Sequence, residues 1–400
     1  MKKLFVILLL LTAFSVNAQW VQQYTGVTAN LYDIEFLNRY TGWSVGASGT
    51  CLKTTNGGVN WVQMNHPVGT KPLIAVHVVD SNVVFIVGYF RTIIKTTDSG
   101  NSWVVIQNGP GGQGNSYNGL YFINKDTGWV SGALAWIYKT TNGGVTFDST
   151  SIGTTYSLDM YFKDTNTGFV TSQGRIFKTT NGGGFWFAVL NTLDTRYFWK
   201  ISFVGNQYGW IAGMNETGVF RTNNFGENWS LIYDSVKVKW MYGVCFVNKD
   251  TGFIGGSYDK LFKTTDGGFN WTRENTSTNN NEFESIEFVN DTIGWTCSTG
   301  GVIMHTTTGG QTLTGIANQT ENIAKRYDLY QNYPNPFNNQ TKIRFEILRF
   351  SEVRIIVYDI LGKERDVIID GIYQPGKYDI NYSSKDLNSG IYFYKMEING

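Results

Sequence analysis

Along most of the chain, apolar and polar residues alternate at every second position in short runs bounded by glycine. Tyr32-Asp33-Ile34-Glu35-Phe36 is one such run. A period of two marks a half-buried β-strand, and turns spaced about every 8 to 12 residues are a hairpin rhythm. The pattern itself recurs. Lys53-Thr54-Thr55-Asn56-Gly57-Gly58-Val59-Asn60-Trp61 returns at 95–103, 139–147, 178–186, 221–229 and 263–271 and, degraded, at 305–313. Ahead of it lies a second motif, Phe36-Leu37-Asn38-Arg39-Tyr40-Thr41-Gly42-Trp43, with copies at 122–129, 162–169, 203–210, 246–253 and 288–295. The second repeat lacks its Thr-Gly. A period of about 40–45 residues with strand alternation predicts four-stranded propeller blades.

In the first repeat, strand a ends at Phe36, strand b covers 43–47, strand c 50–55 and strand d 61–64. A single sheet of this size cannot bury its faces, so seven stack around an axis. Gln19-Trp20-Val21-Gln22-Gln23 copies the d strand Asn60-Trp61-Val62-Gln63-Met64 but follows no a, b or c strand. The seventh repeat has Leu313 where tryptophan is expected. Trp20 is therefore expected to complete the seventh blade and close the ring, removing the open edge. The fold class that follows is all-β, a seven-bladed β-propeller followed by a small Ig-like antiparallel β-sandwich.

The repeated turn resembles the Asp-box, Ser/Thr-x-Asp-x-Gly-x-Thr-Trp. The whole unit resembles propellers related to the photosystem II stability/assembly factor, which share the box with sialidases of the bacterial neuraminidase repeat type. Turn chemistry accounts for the box: the Asn or Asp side chain accepts amides of its own loop, and glycine permits a positive φ. Asn56, Gly58 and Trp61 thus read as structural, as do Asp98, Gly100 and Trp103, and Asn142 and Gly144. The same holds for Asn181, Gly183 and Trp186, for Asn224, Gly226 and Trp229, and for Asp266, Gly268 and Trp271.

Resemblance to sialidases implies an arginine cluster, a Tyr/Glu pair and an aspartate. The propeller's Arg39, Arg91, Arg175, Arg196, Arg221 and Arg273 do not recur at matching blade positions, and no Tyr/Glu partner stands out. With 3 His and 3 Cys in 400 residues there is little material for general bases, metal ligands or disulfides. His66, His77 and His305 show no relay-like carboxylate spacing, and Cys51, Cys245 and Cys297 read as small buried apolar residues. No catalytic residue, metal site or cofactor is therefore expected. A net charge of +1 gives no basic footprint for nucleic acid.

The two ends carry an address. Met1-Lys2-Lys3, an apolar run over 4–14 and Ser15-Val16-Asn17-Ala18 read as a signal peptide, 1–18, too short to span a membrane. No later segment is apolar enough to span. The propeller is expected over 19–314 and a polar linker over 315–326. Charged residues then rise to 19 of the 74 in 327–400, against 44 of the 326 before, and all 13 Trp lie before residue 296. Leu329-Tyr330-Gln331-Asn332-Tyr333-Pro334-Asn335-Pro336-Phe337-Asn338 resembles the opening of the type A sorting domain of the type IX secretion system. The blocks around Gly362 and around Gly390 and Tyr392 follow in the family's order. The resemblance implies a Bacteroidota source, Sec export, outer-membrane passage by the type IX machinery, and release or attachment at the cell surface. Such domains continue into a final basic segment; this chain stops at Gly400, which reads as truncation or an incomplete signal.

These features point to a secreted or surface propeller that binds a glycan or protein partner without catalysis. A glycan-processing enzyme, with carboxylates such as Asp194, Glu282 or Glu284 at the pore mouth, is the alternative. An assembly or scaffold factor for a surface or membrane complex is a third reading. The d–a and b–c loops share the face that varies between repeats. There, the adjacent segments Arg196-Tyr197-Phe198-Trp199-Lys200 and Lys237-Val238-Lys239-Trp240-Met241-Tyr242 interleave cations with aromatics. Arg196, Tyr197, Trp199, Lys200, Lys237, Lys239, Trp240 and Tyr242 are the expected partner-binding residues, suited to an anionic glycan or acidic peptide. The alternative is that these aromatics pack between blades.

Overall fold

The computed structural model describes residues 20–107, 109, 116–132, 135–153, 156–192, 196–214, 218–233, 240–276, 278, 281–310, 327–338, 340–348, 351–373, 376–383, 387 and 389–399. The expected signal peptide and linker lie outside them. The chain divides into two compact units at residue 312.

The first unit holds seven four-stranded antiparallel sheets. In blade one the strands are Leu31–Phe36, Gly42–Gly46, Cys51–Thr54 and Val62–Gln63, the a to d strands in order. Six sheets use consecutive strands. The seventh takes its d strand, Val21–Gln23, from the other end of the unit, with Val21 opposite His305 and Gln23 opposite Ile303. Inner strands neighbour one another around the ring, and that of blade seven, Phe283–Phe288, lies against that of blade one.

Aromatic packing explains why blades stack at this pitch. The Phe that ends strand a lies flat on the strand-b aromatic of the preceding blade. Phe122 stacks on Phe85, Phe162 on Trp129 and Phe246 on Trp210, with centroids 3.6, 3.6 and 3.7 Å apart. Phe36 stacks on Trp295 of blade seven in the same way, at 3.6 Å, so closure uses the ordinary joint. The glycine of each Thr-Gly pair leaves room for this ring: a Cβ on Gly42 would sit 2.5 Å from Phe36. Trp20 is fully buried, edge-on to Phe253 and Phe288.

The box turn is a local hydrogen-bond knot. In blade one Asn56 Oδ1 accepts the Thr54 hydroxyl at 3.0 Å and the Asn60 amide at 2.9 Å. Thr54 Oγ1 accepts the amide of Gly58, whose φ is +88°. Asp98, Asn142, Asn181, Asn224 and Asp266 accept equivalent bonds. A second device was not read from the sequence. In four blades the lysine that opens the repeat reaches the next blade's box carbonyl, as Lys53 does to Ser99 at 2.7 Å and Lys95 to Gly143 at 3.2 Å. Its ammonium lies over the strand-b ring of its own blade, 5.1 Å from Trp43 and 4.8 Å from Phe85. The repeat Lys is thus an inter-blade staple, with cation–π support.

The second unit packs two three-stranded sheets. One joins Asp328–Leu329, Gln340–Ile347 and Gly376–Ser383; the other joins Glu364–Tyr373, Ser351–Asp359 and Tyr392–Asn399. Phe345, Ile347, Val353 and Ile355 form its core, and Phe337 and Tyr392 pack on a second cluster around Ile343 and Val357. The segment holding Pro334, Asn335 and Pro336 is pinned from one side, where Asn332 Nδ2 donates to Thr341 Oγ1 at 2.9 Å and to the Pro334 carbonyl at 3.1 Å. Tyr333 stays exposed. Gly362 turns at φ +76° under the Asp359 carboxylate, and Gly390 sits in an exposed bend before the last strand.

Candidate functional site at the mouth of the axial channel

Five of the seven inner strands share one burial rhythm, buried–partial–buried–buried–partial–buried, seen alike in Leu31–Phe36, Tyr117–Phe122 and Phe283–Phe288; blades four and five are partly exposed at Asp159 and Lys200 as well. A bulge after the first residue sets it, as in Leu31/Asp33 and Phe283/Ser285. The partly exposed positions face the axis and form tiers. The mouth tier is Tyr32, Ile74, Asn118, Leu158, Trp199, Tyr242 and Glu284. The deep tier is Glu35, His77, Tyr121, Tyr161, Ser202, Cys245 and Glu287. Between them lie Asp33, Ala75, Gly119, Asp159, Lys200, Gly243 and Ser285.

Lys200 bridges the channel at this middle level. Its ammonium is 3.4 Å from Asp33 of blade one and 3.7 Å from Asp159 of the neighbouring blade four. Both carboxylates have other donors. Asp33 accepts the Val76 amide at 3.0 Å and the Ser285 hydroxyl at 2.8 Å; Asp159 accepts the Ile201 amide at 3.0 Å. Burial alone would pull the Lys200 ammonium down, but Asp159 and Asp33 outweigh it and hold it above its ordinary range. Burial pushes the Asp159 carboxyl up against the pull of Lys200.

The deep tier contains a pair that sequence spacing had not suggested. His77 Nδ1 lies 3.3 Å from Glu35, and His77 Nε2 lies 2.8 Å from the Phe122 carbonyl. Two acceptors for two ring nitrogens favour the imidazolium, so the pKa rises despite burial. A ring with both nitrogens engaged has no free lone pair to act as a base. Glu287 is pushed well up by burial and by Glu35 and Asp33. His305, in the repeat-Lys position, stacks on Trp295 at 4.8 Å, and burial pushes it down to about 3.

The mouth is lined unevenly. Trp199 and Tyr242 meet edge to face at 5.8 Å. The Ser257 hydroxyl lies 3.2 Å from the Tyr242 hydroxyl and 3.3 Å from Glu282. Burial and the charge of Glu282 push the Glu284 carboxyl up to about 8. Trp240 and Tyr258 are exposed on the rim.

Of the four cations expected on this face, the geometry corrects the placing of Lys200. The bulge between Phe198 and Lys200 puts Lys200 in register with Asp33, so it turns to the axis and is paired. The Arg196 guanidinium lies over the Phe220 ring at 5.9 Å, and Tyr197 pairs with Met214 within the sheet. Lys237, Lys239 and Asp194 lie outside the described residues. Trp199 and Tyr242 are brought together, with Trp240 on the rim above. Four of the arginines find separate partners: Arg91 lies 3.2 Å from the Tyr138 hydroxyl, Arg221 over Trp210, Arg273 on the Asp259 carbonyl and Arg196 on Phe220. Among the described residues no cluster of three or more His, Cys, Asp or Glu could hold a metal. The thiols of Cys51, Cys245 and Cys297 are all pushed up by burial.

Fold and channel define an Asp-box propeller of seven blades joined to a C-terminal sorting module. The family model for the photosynthesis system II assembly factor YCF48 matches residues 12–150 and 233–322, more than half of the chain, and the chain belongs to that family. The secretion system C-terminal sorting domain matches residues 331–400. Among solved structures, YCF48 bound to D1 peptide is 19% identical, with a TM-score of 0.61 over 74% of this chain and 100% of that one. YCF48 from Cyanidioschyzon merolae is 18% identical, with a TM-score of 0.59 over 72% of this chain and 98% of that one. A streptogramin B lyase is 12% identical, with a TM-score of 0.60 over 72% and 96%. At these identities the likeness shows the fold. No curated protein matches the chain. The sorting domain implies engagement with the type IX machinery and a secreted or surface location. Among the described residues no helix is long and apolar enough to cross a membrane.

Proposed function

We propose that this protein is an exported, non-catalytic binding propeller that holds a polypeptide partner at the channel mouth. The observation that carries this reading is the Lys200 bridge. It closes the middle of the channel, leaving a cup on the face whose loops differ from blade to blade. It also occupies Asp33 and Asp159, which further hold amide and hydroxyl donors and so make poor acid–base partners. A peptide partner is favoured over a glycan by the solved structure of YCF48 bound to D1 peptide. The glycan reading retains the rim aromatics Trp240 and Tyr258 in its favour.

Peptide and glycan arrays probed with the mature chain test this, alongside sialidase, glycosidase and lyase assays. Binding to peptides that a Trp240→Ala/Tyr258→Ala variant loses, with no turnover of any substrate, is the expected outcome. Turnover, or binding indifferent to the rim, would refute it.

A further inference from the structure

The mouth tier separates into two halves. Blades two to four contribute Ile74, Asn118 and Leu158, while blades five, six, seven and one contribute Trp199, Tyr242, Glu284 and Tyr32 in unbroken succession. Glu284 therefore stands between two tyrosines, with an indole one blade further. Glu282, on the same strand approach, adds a second carboxylate and is held by Ser257. Unlike Asp33 and Asp159, the Glu284 carboxylate accepts no hydrogen bond from any described residue, and it is only partly exposed to water. Among the described residues Lys200 is its one nearby cation, and that ammonium is committed to Asp33 and Asp159. A partly buried carboxylate without protein donors, flanked around the ring by aromatic side chains, is complementary to a cation: the rings attract through their quadrupoles and the carboxylate through charge.

We propose that the channel mouth takes a cationic side chain of a polypeptide, lysine or arginine, with its charged head at Glu284 and its stem against Tyr32, Tyr242 and Trp199. This rests on the binding reading above and reverses the sign of ligand that the cation-rich sequence segments suggested. The groups facing Glu284 are Glu282 and Cys297 of its own blade, Tyr32 of blade one, Tyr242 of blade six and Lys200 of blade five. Among these described groups none supplies a free positive charge, so the proton held by Glu284 near neutrality leaves when the ligand arrives. Binding is then coupled to proton release and strengthens from pH 7 to pH 9, where lysine and arginine remain charged.

The probes are acetyl-Gly-Lys-Gly-amide and acetyl-Gly-Arg-Gly-amide, with the norleucine and glutamate tripeptides as isosteric and charge-reversed controls. Mature full-length protein is titrated by calorimetry and by tryptophan fluorescence. Saturable binding of the cationic probes, at least tenfold tighter than norleucine and rising with pH, is expected. Glu284→Gln should fold normally, because the carboxylate has no hydrogen bond to lose, and should weaken binding about tenfold and remove its pH dependence. Trp199→Leu should weaken binding while keeping that dependence, and Glu364→Gln in the second unit should change nothing. Equal binding of norleucine, unchanged affinity in Glu284→Gln, or no saturable binding of either cationic probe would overturn the proposal. If array peptides still bound at the rim in that last case, the binding function would stand and the cation site alone would fall.

Discussion

Replacing Lys200 with methionine keeps the length of the side chain and removes the charge that spans the channel. Its two contacts, at 3.4 and 3.7 Å, correspond to about 5 and about 4.5 kcal/mol of gross attraction at an effective dielectric of 20. Desolvation of the ammonium offsets much of this. Breaking a buried pair nonetheless costs about 3–5 kcal/mol, because the partner charges stay behind. Asp33 keeps the Val76 amide and the Ser285 hydroxyl, and Asp159 keeps the Ile201 amide, so the lower end applies, about 3 kcal/mol. The sign with pH follows from the carboxylates. The Asp159 pKa is raised by folding, so its ionisation weakens the fold as pH rises above its unfolded value, about 3.8. Without Lys200 that penalty grows at neutral pH and vanishes once the carboxyl is protonated. Urea unfolding should therefore show a large deficit at pH 7.5 and a small one near pH 4. A Lys200→Met/Asp33→Asn/Asp159→Asn variant should recover most of the loss at pH 7.5. A deficit independent of pH, or none, would refute the bridge.

Trp20→Ala should cost about 3–5 kcal/mol, as loss of a buried tryptophan does, whereas Tyr24→Ala at an exposed position should leave the melting temperature unchanged; equal effects would sever Trp20 from closure. Glu274 occupies the d-strand position that Gln23 holds in blade seven: a Cβ on Gly310 would meet its carboxylate at 2.2 Å, as one on Gly58 would meet the Gln23 amide at 1.9 Å. Burial pushes Glu274 up to about 7, so its ionisation lowers stability progressively between its unfolded pKa and about 7. Glu274→Gln should stabilise by at most about 3 kcal/mol at pH 8 and little at pH 4, and the reverse order in thermal melts would contradict this. Residues 327–400 fused to a periplasmic reporter should deliver it outside a type IX-competent cell; reporter held in the periplasm would contradict that assignment.

Blade number, strand order and closure were legible because each depends on a pattern copied along the chain. Trp20-Val21-Gln22-Gln23 could be matched to a d strand because the box tryptophan fixes its register. The channel was harder to read. Asp33, Glu35, Asp159, Lys200 and Glu287 occupy polar positions of alternating strands, and one strand does not reveal that seven such faces converge on an axis. Charges at the third residue of a strand whose homologous positions are Ala75, Gly119, Gly243 and Ser285 were the available signal. Lys200 was placed on the surface because the bulge after Phe198, which turns it inward, leaves no mark in the alternation. The stapling role of the repeat lysines is not legible in one repeat because their acceptors, such as the Ser99 and Gly143 carbonyls, belong to the next blade.

The central claim is that the partner is held at the mouth. A photoreactive benzoylphenylalanine can replace Tyr258, exposed in the b–c loop of blade six on the mouth face. In a second variant it can replace Val145, exposed in the box turn of blade three on the opposite face. Irradiation of cells secreting each variant should give a discrete polypeptide adduct from position 258 and none from position 145, and Glu284→Gln should diminish that adduct. Adducts from position 145 alone, or equally from both faces, would contradict the account.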